Sequence, residues 1–398
     1  MEFVNEVPVW GQPDEQAVKQ INNCRKDAAH VALMADHHVG YAVPIGGVVA
    51  YEGKVSPSGV GYDIACGNKA VRLDLPAEEV RKNIKSIMDD VWNHISFGIG
   101  RKNAERVDHE LFDDPAWKTE HAAPLKELAR NQLGTVGSGN HYVDLFADEM
   151  GRTWIGVHFG SRGLGHKLAT KFLELAGGKD GMFVDPVVLD VNSDLGEQYL
   201  EAMHLAGRYA YAGRDWVCAK VASILGASIV EEIHNHHNFA WKERHGNRDL
   251  WVVRKGATPA FPSQKGFVGG SMGDLSVILE GVESDEGSQS LYSTVHGAGR
   301  VMGRREAAGS KKWKAVPGTD RKELVTLKEG KITRQMLKDW IGPLGVELRG
   351  AGTDESPHCY KRLPDVLAAH SDSIKVLHTL TPLGVAMAGE DEIDPYKD

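Results

Sequence analysis

The sequence is poor in cysteine and lacks any long apolar run. Its four cysteines, among 398 residues, have spacings that match neither a paired zinc motif nor a dense disulfide framework. No stretch approaches the roughly 18 apolar residues that a membrane-spanning helix needs. The first residues also lack the basic and apolar regions of a secretory signal. We therefore expect reduced thiols and a cytoplasmic protein with no membrane partner.

Two nucleotide-binding motifs and an excess of positive charge are missing as well. Neither the P-loop pattern nor the glycine fingerprint of dinucleotide-binding folds occurs, so any nucleotide has to be held in another way. The formal net charge of −9 argues against a protein that coats nucleic acid nonspecifically. A local basic groove could still bind a strand within an acidic molecule, so the charge does not exclude RNA.

The pattern that is present alternates glycine-rich, strand-like runs with a few amphipathic helices. Residues 77–95 carry apolar side chains at helical spacing, and residues 195–225 are typical of one long or two shorter buried helices. The glycine-rich segment 35–63 is expected to form turns and short strands. This mixture predicts the α+β class. We see no reason to divide the chain and expect residues 1–398 to form one domain.

Three separated, glycine-containing stretches each offer metal-ligand side chains: Asp63 with Cys66, then His141, then His158. Carboxylates suit hard cations, thiolates suit soft ones and imidazoles accept many, so the mixture indicates a transition metal. One ion needs about four to six ligands and two ions need a shared one, which a thiolate can provide. Cys66 on its own could equally be a small buried hydrophobe.

Another imidazole is available between residues 233 and 238. His234, His236 and His237 all lie there, and the local sequence does not choose among them. Each of these histidines, taken singly, could instead be structural or exposed.

A fourth stretch, His296 to Arg300, offers a nucleophile rather than a ligand. Glycine amides after His296 could cradle a phosphate, and Arg300 could pair with phosphate oxygens bidentately. A neutral imidazole can attack phosphorus and form a phosphoramidate, so His296 is a candidate covalent catalyst. A structural histidine beside a structural arginine is the alternative for these residues.

Taken together, these motifs resemble the RtcB-type RNA ligases, which use GTP and manganese, and the resemblance runs nearly from end to end. The blocks that carry it include Asp36-His37-His38, Val60-Gly61-Tyr62-Asp63-Ile64-Ala65-Cys66-Gly67, Gly137-Ser138-Gly139-Asn140-His141, His158-Phe159-Gly160-Ser161-Arg162-Gly163, His237-Asn238, Gly270-Ser271-Met272-Gly273, His296-Gly297-Ala298-Gly299-Arg300 and Tyr360-Lys361.

The resemblance implies a single compact α+β domain with a central cleft that binds metal and nucleotide. It also implies two manganese ions, with Cys66 bridging them. Asp63 and His141 would complete one site, and His158 and His237 the other.

For the nucleotide, the resemblance implies that GTP guanylylates His296, with Asp36 and Arg300 assisting catalysis. The residues implied to line the GMP site are Asn140, Asp144, Ser271, Gly297, Ala298, Gly299 and Lys361, the last near the guanine. Asp144 departs from the family pattern, since most relatives have there a glutamate that recognises guanine. Its shorter side chain is expected to reach less far toward the base.

The reaction implied by the resemblance joins an RNA end with a 2′,3′-cyclic phosphate or 3′-phosphate to a 5′-hydroxyl end, in RNA repair or tRNA splicing. His296 takes GMP from GTP, GMP passes to the RNA 3′-phosphate, and the 5′-hydroxyl displaces it. Archease is a possible activating partner. The alternatives are a 3′-phosphate capping enzyme, a cyclic phosphodiesterase without a covalent nucleotide, and an RNA-end-binding protein without catalysis. The sequence does not choose the physiological RNA or the oligomeric state.

Overall fold

Two large β-sheets form the framework of the computed structural model, which describes residues 1–179, 181–315 and 321–390. The smaller sheet consists of β1 (Glu2–Val4), β2 (Val7–Val9), β3 (His30–His38), β4 (Ile45–Tyr51), β11 (Asn238–His245) and β12 (Arg248–Lys255). Its strand order is β1-β2-β3-β4-β12-β11, with β2 and β3 parallel and the other neighbours antiparallel.

The larger sheet has eight strands in the described part of the chain. They are β6 (Gly67–Pro76), β7 (Tyr142–Asp148), β8 (Arg152–Phe159), β10 (Ile229–His236), β14 (Lys265–Val268), β15 (Ser276–Gly281), β19 (Glu347–Ala351) and β20 (Ile374–Gly389). Their order is β10-β6-β8-β7-β20-β15-β14, and β19 pairs with β20. The register places His158 opposite Asn68 of β6 on one side and Tyr142 of β7 on the other.

The remaining strands in the described part of the chain form three two-stranded sheets. They are β5 (Lys54–Val55) with β9 (Leu189–Asp190), β13 (Ala257–Pro259) with β16 (Ser293–Val295), and β17 (Gly309–Ala315) with β18 (Lys322–Glu329). Since β16 ends at Val295, its pairing with β13 fixes the position of His296, which follows directly.

The helices flank these sheets. They are α1 (Glu15–Cys24), α2 (Pro57–Val60), α3 (Ala77–His94), α4 (Lys126–Gln132), α5 (Arg162–Leu175), α6 (Asp194–Leu225), α7 (Asp285–Gln289), α8 (Arg304–Ala308), α9 (Arg334–Ile341) and α10 (Leu363–Ala368). None of the helices in the described ranges combines the length and the apolar character needed to cross a membrane.

Both helices predicted from apolar spacing are present. In α3, the buried Val80, Met88 and Val91 lie on one face and pack into a core beneath the larger sheet. The second prediction corresponds to a single helix, α6, whose start is capped by the Ser193 hydroxyl and which ends at Gly226 in the left-handed conformation. Together with the sheets, these helices confirm the α+β class.

The glycine-rich segment near the N-terminus contains longer strands than we predicted. It contributes the end of β3 and the whole of β4, seven residues long, together with α2. The glycines are required because the two strands approach closely: a Cβ on Gly46, which has φ 78°, would lie 2.9 Å from the Cα of His37. Glycine here allows strand packing rather than interrupting the strand.

A cleft of about 1390 Å³ lies between the two sheets. Its lining includes His38, Ile45 and Lys255 from the smaller sheet and Asn68 and His158 from the larger one, while α5 borders it further along. The chain passes from the larger sheet to the smaller at a single residue, His237, which separates β10 from β11. An undivided domain over residues 1–398 stays a prediction, because residues 391–398 lie outside the described part.

Candidate active site

Most of the predicted site residues line this one cleft. The structure places there Asp63, Cys66, Asn140, His141, Asp144, His158, His237, Ser271, His296, Gly297, Ala298, Gly299 and Arg300. Two predicted residues, Asp36 and Lys361, are not part of the lining. Asp36 is completely buried and bonds to His296, while Lys361 bonds to backbone on either side of Asp36.

The candidate ligands converge on the sulfur of Cys66. Its Sγ lies 3.2 Å from Nε2 of His158 and 3.5 Å from Nε2 of His141. One ligand atom from each of these three residues lies within 4.8 Å of the others. Such spacing lets three side chains contact one cation, and a thiolate with imidazoles is a donor set suited to a transition metal.

Asp63 joins this cluster through a tight turn. The Cys66 amide donates to the Asp63 carbonyl at 3.1 Å, and Ala65 between them has φ 61°. The segment is therefore a four-residue turn. Asp63 Oδ2 lies 3.1 Å from His141 Nε2, and a Cβ at Gly160 would come within 2.2 Å of the same carboxylate. The glycine after Phe159 thus leaves room for Asp63.

Local sequence does not choose among three histidines, and the structure places the one that the resemblance selects, His237, in the cleft. His237 lines the cleft, with its ring centroid 5.0 Å from that of His158 and its amide donating to the Cys66 carbonyl at 2.8 Å. His234 and His236 instead accept hydrogen bonds from Arg214, at 2.7 and 3.0 Å. His237 is therefore the one beside the candidate ligands.

The protonation of the cluster follows from burial. Burial and the Asp63 carboxylate raise the pKa of the Cys66 thiol well above its usual value. Burial and neighbouring imidazoles hold the pKa of His158 and of His237 well below the ordinary value. Burial by itself would raise the pKa of Asp63, but the hydrogen bonds from His141 and Cys66 and the charges of His141 and Arg162 together outweigh it and lower that pKa. The imidazoles of His158 and His237 are thus neutral donors, and a cation would have to displace the thiol proton.

An unpartnered ring nitrogen supports the fit to a metal. Among the described residues, Nδ1 of His237 is buried without a hydrogen-bond partner, while His141 faces the cluster through Nε2. Buried polar atoms are rarely left unsatisfied, and a ligand is one common explanation. Together with the thiol and the Asp63 carboxylate, these rings make a donor set that a divalent transition metal can occupy.

His296 is held from behind by Asp36. Its Nδ1 lies 2.6 Å from Asp36 Oδ2, and its backbone amide donates to the same oxygen at 3.1 Å. Burial alone would raise the pKa of the Asp36 carboxyl, but the His296 imidazole outweighs it and lowers the pKa. Because the Asp36 carboxylate accepts a hydrogen bond from Nδ1–H, the proton of the neutral ring is on Nδ1 and the lone pair is on Nε2. The ring lies 4.7 Å from that of His237, centroid to centroid.

The Arg300 guanidinium donates hydrogen bonds to a group of neighbouring polar residues. Its Nη1 donates to Tyr360 Oη at 2.8 Å and to Glu355 Oε2 at 3.2 Å, and Nη2 donates to the Asp354 carbonyl at 2.8 Å. Arg304, which the motif analysis did not single out, donates to the other Glu355 oxygen at 2.8 Å. Both guanidinium groups line the cleft, so one buried carboxylate orients two cations toward it.

Asp144 lies in an apolar part of the same cleft. It belongs to β7 opposite Val385 of β20, and Met387 lines the cleft nearby. Burial raises the pKa of the Asp144 carboxyl well above its ordinary value, and within the described chain its Oδ1 has no hydrogen-bond partner. A ligand with paired N–H donors would satisfy this carboxyl and favour its ionised form.

Lys361, which the resemblance implies to be near the guanine, hydrogen-bonds to backbone and is not part of the cleft lining. Its Nζ donates to the carbonyl oxygens of Ala35 at 2.9 Å and His37 at 3.1 Å, which flank Asp36. Lys361 therefore fixes the backbone behind His296, while Asp144 and Met387 border the cleft itself. Motif identity alone could not distinguish a residue that lines the cleft from one that supports its wall.

Arg214 links the two ligand-bearing segments and was not among the predicted site residues. It is completely buried in α6, and its Nη1 donates to the carbonyls of Ala65 at 3.1 Å and Phe159 at 2.5 Å. These carbonyls adjoin Cys66 and His158 in sequence. An arginine in the middle of a long helix predicted to be buried was the available signal, because a buried charge is rarely placed without a structural or functional partner.

Comparison with known proteins agrees with this arrangement. The family described as "tRNA-splicing ligase RtcB" matches residues 17–388. The chain is 30% identical to the RNA-splicing ligase RtcB of Escherichia coli over 94% of this chain and 95% of that protein. It is 31% identical to the tRNA-splicing ligase RtcB of Thermococcus kodakarensis over 96% of this chain and 94% of that protein. The chain therefore belongs to the RtcB family.

Proposed function

We propose that this protein is a GTP-dependent RNA ligase that joins 3′-phosphate or 2′,3′-cyclic phosphate ends to 5′-hydroxyl ends. The observation that carries the proposal is the position of His296, whose ring contacts His237 of the candidate metal cluster on one side and Asp36 on the other. A nucleophile, an orienting carboxylate and a metal cluster in one cleft are the parts that nucleotidyl transfer requires. The relatives' names support RNA as the substrate.

The metal part of the proposal is two manganese ions. Asp63, Cys66 and His141 would hold one, and Cys66, His158 and His237 the other, because only Cys66 lies next to both sets. When bound, two divalent cations offset charge on phosphate oxygens and on the departing pyrophosphate.

In the first step, His296 Nε2 attacks the α-phosphate of GTP. A phosphorus–nitrogen bond forms, the bond to the bridging oxygen breaks, and pyrophosphate leaves. The ring becomes positively charged, and its Nδ1–H stays bonded to the Asp36 carboxylate, which stabilises that charge. Lys361 contributes by fixing the backbone on both sides of Asp36.

In the later steps, an RNA 3′-phosphate oxygen attacks the guanylate, the phosphorus–nitrogen bond breaks and neutral His296 is restored. The 5′-hydroxyl then attacks the activated 3′-phosphate, releasing GMP, and the hydroxyl proton passes to water. A cyclic phosphate is first opened by water at the same site. Asn140, Arg300 and the amides of Gly297, Ala298 and Gly299 would contact phosphate, and Asp144 with Ser271 would contact the guanine.

The test is incubation of the wild-type protein and His296→Ala with GTP and manganese, followed by intact-mass measurement. We expect a GMP adduct on the wild type alone, and joined product from RNA with a 2′,3′-cyclic phosphate and a 5′-hydroxyl end, with archease added in a parallel reaction. A wild-type protein that stays unmodified in both reactions would contradict the proposal. Cyclic-phosphate hydrolysis that survives in His296→Ala would instead indicate a phosphodiesterase, and end binding without turnover a binding protein.

A further inference from the structure

The cleft is larger than a single nucleotide requires. Pockets for small ligands typically measure about 300–1000 Å³, whereas this cleft measures about 1390 Å³. The metal cluster, His296 and Asp144 account for one region of it. The remainder runs along α5 and is lined by Tyr41, Tyr62, Arg162, His166, Lys167, Thr170, Leu173 and Glu174.

Aromatic rings gather in this remaining part, directly beside the cluster. Tyr62 precedes the candidate ligand Asp63, and its ring is stacked on that of His166, with 5.4 Å between centroids and 25° between planes. Tyr41 meets Tyr62 edge to face at 6.1 Å. All three side chains are only partly buried, and all three line the cleft.

The helix α5 continues this surface away from the cluster. Arg162, His166 and Thr170 follow one another at four-residue spacing, which places them on one face of the helix, and all three line the cleft. From Arg162 to Glu174 the helix rises about 18 Å. The surface is thus several times longer than the 3.4 Å rise between successive bases of one duplex strand.

Charge along this surface is modest. Exposed Lys167 and Lys179 are positive, as is Arg162, whose guanidinium donates to Thr135 and to the Gly98 carbonyl, and exposed Glu174 near the far end is negative. Phosphate attraction alone would therefore be modest here, whereas partly exposed aromatic rings can hold a base of any identity by stacking. A single-stranded nucleic acid fits this combination better than a duplex, whose bases are already stacked on one another.

We propose that Tyr62 and His166 form a stacking platform for an unpaired base of the RNA strand whose end reacts at the cluster, with Lys167 contacting its backbone phosphate. This inference rests on the proposed ligase function and adds to it the path that the strand follows. It makes the protein selective for RNA ends that are single-stranded over at least the base adjoining the metal site.

Binding is tested without GTP, by fluorescence anisotropy of a short single-stranded RNA with a 3′-phosphate, added to the manganese-loaded protein. Loss of one stacking partner corresponds to about 1–3 kcal/mol, so Tyr62→Ala and His166→Ala should each weaken binding roughly 5- to 150-fold. Tyr62→Phe keeps the ring and should bind within about twofold of wild type. In Lys167→Ala, the slope of log affinity against log salt concentration should decrease by about the amount expected for one phosphate contact. In Tyr62→Ala, that slope should be unchanged.

Equal affinity of wild type, Tyr62→Ala and His166→Ala, with unchanged melting temperatures, would overturn the platform. So would a blunt duplex that competes as well as the single strand. His166 is a partly exposed helix residue, so His166→Ala carries the test should Tyr62→Ala fail to fold. Because the assay involves no nucleotide, a wild-type protein that forms no GMP adduct would remove the ligase proposal and leave this measurement valid.

Discussion

One carboxylate oxygen of Asp36 accepts two hydrogen bonds from His296, from the ring Nδ1 at 2.6 Å and from the backbone amide at 3.1 Å. The two residues are 260 positions apart in the chain, and Asp36 is completely buried. This contact fixes both the orientation of the ring and the nitrogen that remains free, so the reactivity of His296 depends on a residue that does not line the cleft.

The first prediction concerns this pair. In Asp36→Asn, the amide offers no negative charge to the imidazolium that forms during attack, so guanylylation should slow by about 10²- to 10⁴-fold. The rate is measured as growth of the GMP adduct by intact mass. Asp148→Asn is the matched control, because Asp148 is a buried carboxylate that bonds Arg152 and Trp154 away from the cleft. An Asp36→Asn rate equal to that of Asp148→Asn would contradict the orienting role.

The second prediction concerns metal stoichiometry. Cys66→Ala removes the only side chain proposed to touch both ions, so it should abolish binding of both. His141→Ala and His237→Ala should each lose one ion. Manganese per protein is counted by native mass spectrometry, with Cys218→Ala as the control because Cys218 is buried in the core around α3. Two ions retained by Cys66→Ala would refute the bridging arrangement.

A third prediction follows from the raised pKa of the Cys66 thiol. Below that pKa the free thiol carries a proton that manganese has to displace, so affinity should increase with pH, by up to about tenfold per unit for one released proton. His158 and His237 have lowered pKa values and add no competing proton near neutrality. Manganese titrations between weakly acidic and weakly alkaline pH measure the slope. A slope of zero would show that the thiol is not a ligand.

The fourth prediction concerns the base. If Asp144 accepts N–H donors of guanine, Asp144→Ala should weaken GTP use roughly 10- to 150-fold, as expected for a hydrogen bond to a charged group. Inosine triphosphate lacks the exocyclic amine, so wild type should prefer GTP over it, and Asp144→Ala should show little preference. The comparison uses the apparent KM for adduct formation. A variant that discriminates as well as wild type would place guanine recognition elsewhere.

A fifth prediction tests Arg214 as a positioning residue. Arg214→Lys cannot reach Ala65, Phe159 and the two histidines together, so manganese affinity should fall by about tenfold or more as ligand geometry loosens. Arg254→Lys is matched to it, since Arg254 is also completely buried but bonds Glu243 and Ser293. Both variants should lower the melting temperature. Only Arg214→Lys should weaken manganese binding, and equal effects of the two would assign Arg214 to stability alone.

The sequence predicted the parts of the site that are local. The Asp63–Cys66 segment, the His158 motif and the glycines after His296 are each contiguous in the sequence, so each could be identified without knowledge of the fold. The α+β class and the helices α3 and α6 followed from periodicity for the same reason, because each residue's face is set by its near neighbours.

What the sequence could not provide depends on register and on contacts across the fold. The local sequence did not choose among His234, His236 and His237. The resemblance selects His237, and the register of β10 against β6 leaves that residue just beyond the strand. The length of strand β4 was underestimated because its glycines are required by the close approach of β3. The spacing of residues in the sequence does not reveal that neighbour. The resemblance implies that Lys361 is near the guanine, and its hydrogen bonds to the backbone around Asp36 could not be predicted from the motif.

His237, the residue at which the chain passes from the larger sheet to the smaller, is also a candidate ligand. Because β10 pairs with β6 and β11 pairs with β12, its position is set by the larger sheet on one side and by the smaller sheet on the other. A cation bound there would connect the two walls of the cleft, so metal binding would also stabilise the packing of one sheet against the other.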